Sequence, residues 1–150
     1  SIQSTGTLSQ HDHQASLTAQ AKTAYSELSL SGNLGPTSNL AWSLTSRQLS
    51  ELGNRLSGQL ESSGHITGNN LKPLITGTIS GNNITMKQRS IQSLTSKFSI
   101  NFNTAESSSL SLSANRIQWG STKLNSYDVT ADGTLSHYTL DCILRRASGQ

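Results

Sequence analysis

Four histidines, one cysteine and eight carboxylates are the side chains of this 150-residue chain that could hold a metal or run a reaction. His11 and His13 are spaced to share one strand face and so to grip a divalent ion together. The intervening Asp12 falls on the other face and no Glu or Cys joins them, which is short of the ligand set that a zinc site uses. His65 and His137 are isolated, the latter at an expected strand start. Ser, His and Asp are frequent enough to fall near one another by chance, and no Gly-x-Ser-x-Gly elbow occurs. Asp128 with Asp132, or Glu51 with Glu61, lacks the context of a glycosidase carboxylate pair. Cys142 is the only cysteine, so no intrachain disulfide forms. It is in phase with Tyr138, Leu140 and Leu144 and reads as a small buried hydrophobe. The expectation is a protein that is not an enzyme, with no metal and no cofactor.

The elements that would position any site are strands. Hydrophobic residues make up 32% of the chain, aromatics 5% and charged residues 13%, the remainder being mainly Ser, Thr, Asn, Gln and Gly. Such a mixture often stays disordered, but here the apolar residues alternate with polar ones, which builds strands with one apolar face. Alternation is clearest at Phe98, Ile100 and Phe102, and recurs at Leu110, Leu112 and Ala114, at Tyr127, Val129 and Ala131, at Leu17, Ala19 and Ala21, and at Leu40, Trp42 and Leu44. Strands are expected near 2–9, 13–21, 24–34, 39–46, 55–67, 71–81, 83–88, 90–103, 108–118, 122–135 and 137–146. Ser31-Gly32-Asn33, Gly68-Asn69-Asn70 and Gly81-Asn82-Asn83 read as turns, because Gly and Asn tolerate positive φ. Ser46 to Gly53 reads as one or two helical turns, with Ser46 as N-cap, Leu49 and Leu52 at i, i+3 spacing and Gly53 as the stop.

A net charge of +3, with Arg145-Arg146 as the largest basic cluster, leaves no concentrated basic face interleaved with aromatics and argues against nucleic acid as a partner. No apolar run approaches the roughly 18 residues of a membrane-crossing helix. The chain begins with Ser and has no leader, so it reads as one segment, 1–150, excised from something longer. Gly6-Thr7-Leu8-Ser9 recurs as Gly133-Thr134-Leu135-Ser136, which is the pattern of about one repeat plus the start of the next. An all-β chain with one apolar face per strand normally closes into a sandwich or barrel, and every apolar residue named here is then ordinary core. The same thin face, rich in Ala and Leu, equally suits a surface that meets something flexible.

The succession Trp42-Ser43-Leu44, Leu49-Ser50-Glu51-Leu52, Leu56-Ser57-Gly58-Gln59-Leu60, Gly64-His65-Ile66-Thr67-Gly68, Pro73 to Gly81, Ile84, Leu110-Ser111-Leu112-Ser113-Ala114 and Gly133 to His137 resembles the central repeats of the TamB family, the translocation and assembly module subunit among the AsmA-like bridge-type lipid transfer proteins. The likeness spans most of the chain and lies in the order of its elements. It implies an elongated, curved antiparallel-type sheet forming an open apolar groove, a β-taco, with one short helical turn. It implies a groove lined by Leu17, Ala19, Leu28, Leu30, Leu40, Trp42, Leu44, Leu56, Leu60, Ile75, Ile79, Ile84, Met86, Phe98, Ile100, Phe102, Leu110, Leu112, Ala114, Val129, Leu140 and Cys142. It further implies phospholipid acyl chains as cargo, a TamA-like outer-membrane barrel as partner of the full-length protein, and a periplasmic location anchored in the inner membrane through a segment outside this chain. Outer-membrane biogenesis and outer-membrane protein assembly are the processes such a protein serves. The rival reading is a secreted structural or adhesive β-protein that moves no lipid. Its repeats would show a short period near 20 to 30 residues, which this chain lacks.

Overall fold

A computed structural model describes residues 2–11, 14–51, 53, 55–69 and 71–146. Ten strands follow one another: β1 (Gln3–His11), β2 (Gln14–Lys22), β3 (Ser26–Leu34), β4 (Ser38–Ser46), β5 (Leu56–Asn69), β6 (Lys72–Met86), β7 (Arg89–Asn101), β8 (Ser108–Trp119), β9 (Thr122–Gly133) and β10 (Tyr138–Arg146). They form one antiparallel sheet in the order of the chain, so that each strand pairs only with its sequence neighbours and β1 and β10 remain as edges. The expected open antiparallel sheet is therefore the observed architecture. A sandwich or barrel would need a second layer or closure of β1 on β10, and neither exists among the described residues.

Strand length divides the sheet. β1 to β4 have 9 residues each, whereas β5 to β9 have 12 to 15. The connections alternate between two rims. The β2–β3, β4–β5, β6–β7 and β8–β9 connections and the end of β10 lie on one, here called the basic rim; the β3–β4, β5–β6, β7–β8 and β9–β10 connections lie on the other. Turn chemistry closes them locally. Asn69 Oδ1 accepts the backbone N–H groups of Leu71 and Lys72 at 3.1 and 2.7 Å, and Thr23 Oγ1 accepts that of Ser26 at 2.9 Å. These are the side-chain-to-backbone bonds that make Asn and Thr turn formers.

The expected short helical turn is present as the 3-10 turn Leu49–Glu51, with Leu49 buried at 3% exposure, while Ser46 ends β4 instead of capping it and Leu52 lies outside the described residues. Three residues give too few backbone hydrogen bonds for an α-helix, and burying Leu49 beside β5 is what holds the turn. Ser31-Gly32-Asn33 lies inside β3, paired with β2 and β4 on either side. Gly81-Asn82-Asn83 does not split a strand in two, since β6 runs through it and ten strands stand where eleven are expected. Of the Gly68-Asn69-Asn70 turn, Gly68 and Asn69 end β5, and Asn70 lies outside the described residues. Gly6 to Ser9 sits inside β1, whereas Gly133 closes β9 and residues 134–137 connect it to β10, so the four-residue echo occupies unlike places.

What replaces the turn in β6 is a crease. The pairings skip one residue in each of four consecutive strands: Asn82 faces Ser93 and Ile84 faces Ile91, then Ser93 faces Asn115 and Ile91 faces Ile117, then Asn115 faces Ser126 and Ile117 faces Leu124. Asn83, Gln92, Arg116 and Asn125 are thus inserted side by side, and the register shifts appear only against the uninterrupted β5 and β10. Together with Asn82, Ser93 and Asn115 the four line a polar hollow of about 480 Å³ on the face away from the apolar side chains. Asn115 Nδ2 donates to Ser93 Oγ across it at 3.3 Å. Inserted residues of this kind bend strands as bulges do.

Asn83 and Arg116 hold this crease with φ of 50° and 47°. A non-glycine residue in that region costs about 1 kcal/mol or more, and the Arg116 side chain is exposed. Arg116→Gly is expected to raise stability by about 1 kcal/mol and Tm by roughly 2–4 °C. A fall in Tm in calorimetry would mean that the guanidinium contributes more than the backbone loses.

Candidate functional site: an uncovered apolar trough

The registers place one side chain from every strand in a single row. Gly6 faces Ala19, Ala19 faces Leu30, Leu30 faces Trp42, Trp42 faces Gly64, Gly64 faces Gly77, Gly77 faces Phe98, Phe98 faces Leu110, Leu110 faces Ala131 and Ala131 faces Leu140. Residues directly opposite in an antiparallel ladder project to the same side, so this row is apolar from edge to edge. A parallel row runs Leu28, Leu44, Ser62, Ile79, Ser96, Leu112, Val129 and Cys142. On the other side of the first row lie Leu17, Gly32, Leu40, Ile66, Ile75 and Ile100. Towards the basic rim Leu60, Gly81, Leu94, Ala114, Tyr127 and Leu144 form the next row, and Leu56 faces Met86 at the rim itself.

The registers put the groove-lining residues implied by the family resemblance on one face, except that Phe102 lies beyond the paired residues. Phe102 lies just past β7, its N–H donating to Pro73 O at 3.0 Å and its side chain 44% exposed. Cys142 is on the expected face but exposed, not buried, because β10 is an edge strand with nothing over it. Hydrogen bonding to Cys142 is the main cause that pushes the Tyr127 phenol above its usual pKa. Simple alternation from Leu60 would have found Ile66. Ile91, Ile117 and Leu124 were hidden in the sequence because they lie beyond the crease, where the inserted residue reverses the phase.

The middle of the trough has a distinct construction. Gly64 and Gly77 leave two adjacent strands without side chains, and the Trp42 and Phe98 rings lie over the gap, stacked with centroids 6.5 Å apart and planes 16° apart. Trp42 Nε1 donates to Ser62 Oγ at 3.4 Å. Aromatic rings laid over strand glycines cover backbone that would otherwise face the trough bare. Nearer the basic rim, an apolar hollow of about 620 Å³ opens among Leu56, Ile84, Ile91, Leu94, Ile117, Trp119, Leu124 and Tyr127, with Arg89 at its margin. Leu40 and Ala114 are buried by their neighbours at 7% and 3% exposure, while Leu28, Leu110 and Leu140 remain at 45%, 36% and 56%. A packed core would bury all five.

Apart from Cys142, the described residues with reactive chemistry are scattered on the opposite face and in the connections. That face carries hydroxyl pairs such as Ser29 with Ser43 at 2.8 Å, and the Ser113 hydroxyl donates to Asp128 Oδ1 at 2.7 Å. A hollow of about 580 Å³ is lined by Ser and Thr residues with His65, Lys97 and Asp132 of that face and also by Trp42, Gly64, Gly77, Phe98 and Leu110 of the first apolar row. A twisted sheet is saddle-shaped, so both faces carry hollows. His137 lies in the β9–β10 connection, its Nδ1 3.3 Å from Ser136 Oγ. His11 ends β1, and Asp12 and His13 lie outside the described residues. Glu51 accepts hydrogen bonds from the Thr23 and Ser26 hydroxyls, whereas Glu61 lies within β5. No helix among the described residues is long and apolar enough to cross a membrane.

A family model described as TamB, N-terminal domain, matches residues 2–145. No curated protein and no solved structure matches the chain.

Proposed function

The chain belongs to the TamB family, and from that premise we propose that its trough shields phospholipid acyl chains on their way between the inner and outer membranes. The observation that carries this reading is the row of apolar residues and glycines that crosses all ten strands with no second layer over it among the described residues. Leaving apolar surface in water costs about 25 cal/mol per Å², and soluble proteins rarely expose a contiguous patch of this extent without a use for it. An acyl chain laid in the trough removes both its own surface and that of the sheet from water, at roughly 0.8 kcal/mol per CH₂. The lining offers branched aliphatic side chains and rings with few polar anchors, so contact is uniform along the row and no single point traps the cargo.

In this proposal the chain is a segment of a longer periplasmic bridge that is anchored in the inner membrane and works with a TamA-like outer-membrane barrel in outer-membrane biogenesis and protein assembly. A photo-crosslinking residue placed at Ile79, Phe98, Ile100 or Leu112 of the full-length protein in cells is expected to capture phospholipid. The same residue at Ser99 or Ser111, on the outward face of β7 and β8, is expected to capture none. Equal capture from both sets would remove the one-sided conduit.

A further inference from the structure

Charge is distributed unevenly between the two rims. Over β5 to β10 the basic rim carries Arg55, Lys87, Arg89, Lys123, Arg145 and Arg146, all exposed, and among the described residues no Asp or Glu stands on that rim after Glu51, which shares the β4–β5 connection with Arg55. The shorter-stranded part of the same rim differs, since Lys22 pairs with Glu27 at 3.6 Å and Arg47 is followed by Glu51. Across the trough, the opposite rim over the long strands carries Lys72 with Glu106 and Asp132. Six of eleven basic residues thus line half of one lip in a chain whose net charge is only +3.

The position of this lip relative to the trough gives it a use. Arg89 faces Trp119 in the ladder, its guanidinium carbon sits 3.7 Å from the Trp119 ring centroid, and both residues border the apolar hollow of about 620 Å³. Trp119 is 59% exposed. An aromatic with one face on apolar surface and an arginine held flat against it form a boundary layer, apolar below and cationic above. A molecule with its hydrocarbon in the hollow can bring its polar end out past Arg89 towards the other cations of the rim.

We propose that the β5–β10 half of the basic rim binds the headgroup phosphate of anionic glycerophospholipids whose acyl chains lie in the trough, so that lipids with a net negative headgroup are held in preference to zwitterionic ones. The inference rests on the conduit reading above and adds the charge class of the cargo. Phosphate is matched by Arg as a fork and by Lys as a point charge. A zwitterionic headgroup brings its own cation and gains little from the lip. The other use of a basic lip, contact with the surface of an anionic bilayer, would not require Arg89 to border an apolar hollow.

The test uses the full-length protein and labelled phosphatidylglycerol and phosphatidylcholine with the same acyl chains, each competed by the other. Phosphatidylglycerol is expected to bind more tightly by about fivefold or more, the effect of one cation near a lipid phosphate, and the preference is expected to shrink in high salt. Lys87→Gln with Lys123→Gln, the first on the exposed β6–β7 turn and the second exposed at the start of β9, is expected to remove most of the preference and leave phosphatidylcholine binding and the circular dichroism spectrum unchanged. Arg89→Gln is a second, independent variant and is expected to do the same to the preference. Equal binding of the two lipids, or a preference that survives both variants, overturns the proposal and leaves the trough intact. Failure to bind either lipid overturns the conduit reading itself. If the variants lose flotation with phosphatidylglycerol vesicles and keep the preference for the single lipid, the lip is a bilayer contact and the proposal fails.

Discussion

Leu112→Asp is expected to stop lipid passage through this segment while leaving the sheet folded. Leu112 lies mid-trough between Ser96 on β7 and Val129 on β9, with no layer above it. A carboxylate at that place can stay in contact with water, so the loss is chiefly that of a half-buried leucine, about 1–2 kcal/mol. In a closed core the same change would bury an unpaired charge, costing several kcal/mol and preventing folding. Acyl chains crossing the position, in contrast, must displace the hydration of the carboxylate. Thermal unfolding of the variant and lipid capture by a crosslinker at neighbouring Ile79 or Phe98 read the two effects separately. Ile100→Arg should behave in the same way. An unfolded variant would point to a covered core, and a folded variant with full transport would take this segment out of the conduit.

The second large effect is expected at Gly64. A Cβ there would lie 2.2 Å from the carbonyl oxygen of Thr76 and 2.3 Å from two ring carbons of Trp42. Gly64→Val must therefore push the ring off the sheet or spread β5 from β6. Overpacking of this kind costs about 1–3 kcal/mol, and loss of the Trp42–Phe98 stack adds roughly 0.5–1.5 kcal/mol. The expected fall in Tm is about 6–12 °C, with loss of the near-ultraviolet signal of Trp42. Gly53→Ala is the control, because nothing lies within 4 Å of a Cβ at that position. A Gly64 variant that melts with the parent protein would mean that the ring moves freely and does not cover the glycines.

How far the trough could be read from residue order depends on the strand. In β8, Leu110, Leu112 and Ala114 keep strict alternation, and the structure puts them on one face. In β6 the step from Gly81 to Ile84 breaks period two, and Gly-Asn-Asn is indistinguishable in sequence from a turn; only the neighbouring strands, each with its own inserted residue, turn it into a crease. The helical turn expected within Ser46 to Gly53 forms only over Leu49–Glu51 for a related reason. Capping and spacing rules are local, and the pairing of Ser46 with Leu60 across β4 and β5 overrode them.

Alternation alone determined that this chain would be strands with one apolar face, because period two is a property of each strand by itself. It could not determine whether that face would be covered. Covering depends on whether a strand meets another sheet or only its two neighbours, and that is decided by pairing along the whole chain. The basic lip was invisible in sequence for the same reason. Arg55, Lys87, Arg89, Lys123, Arg145 and Arg146 are spread over more than half the chain and come together only because an antiparallel meander brings every second connection to the same rim.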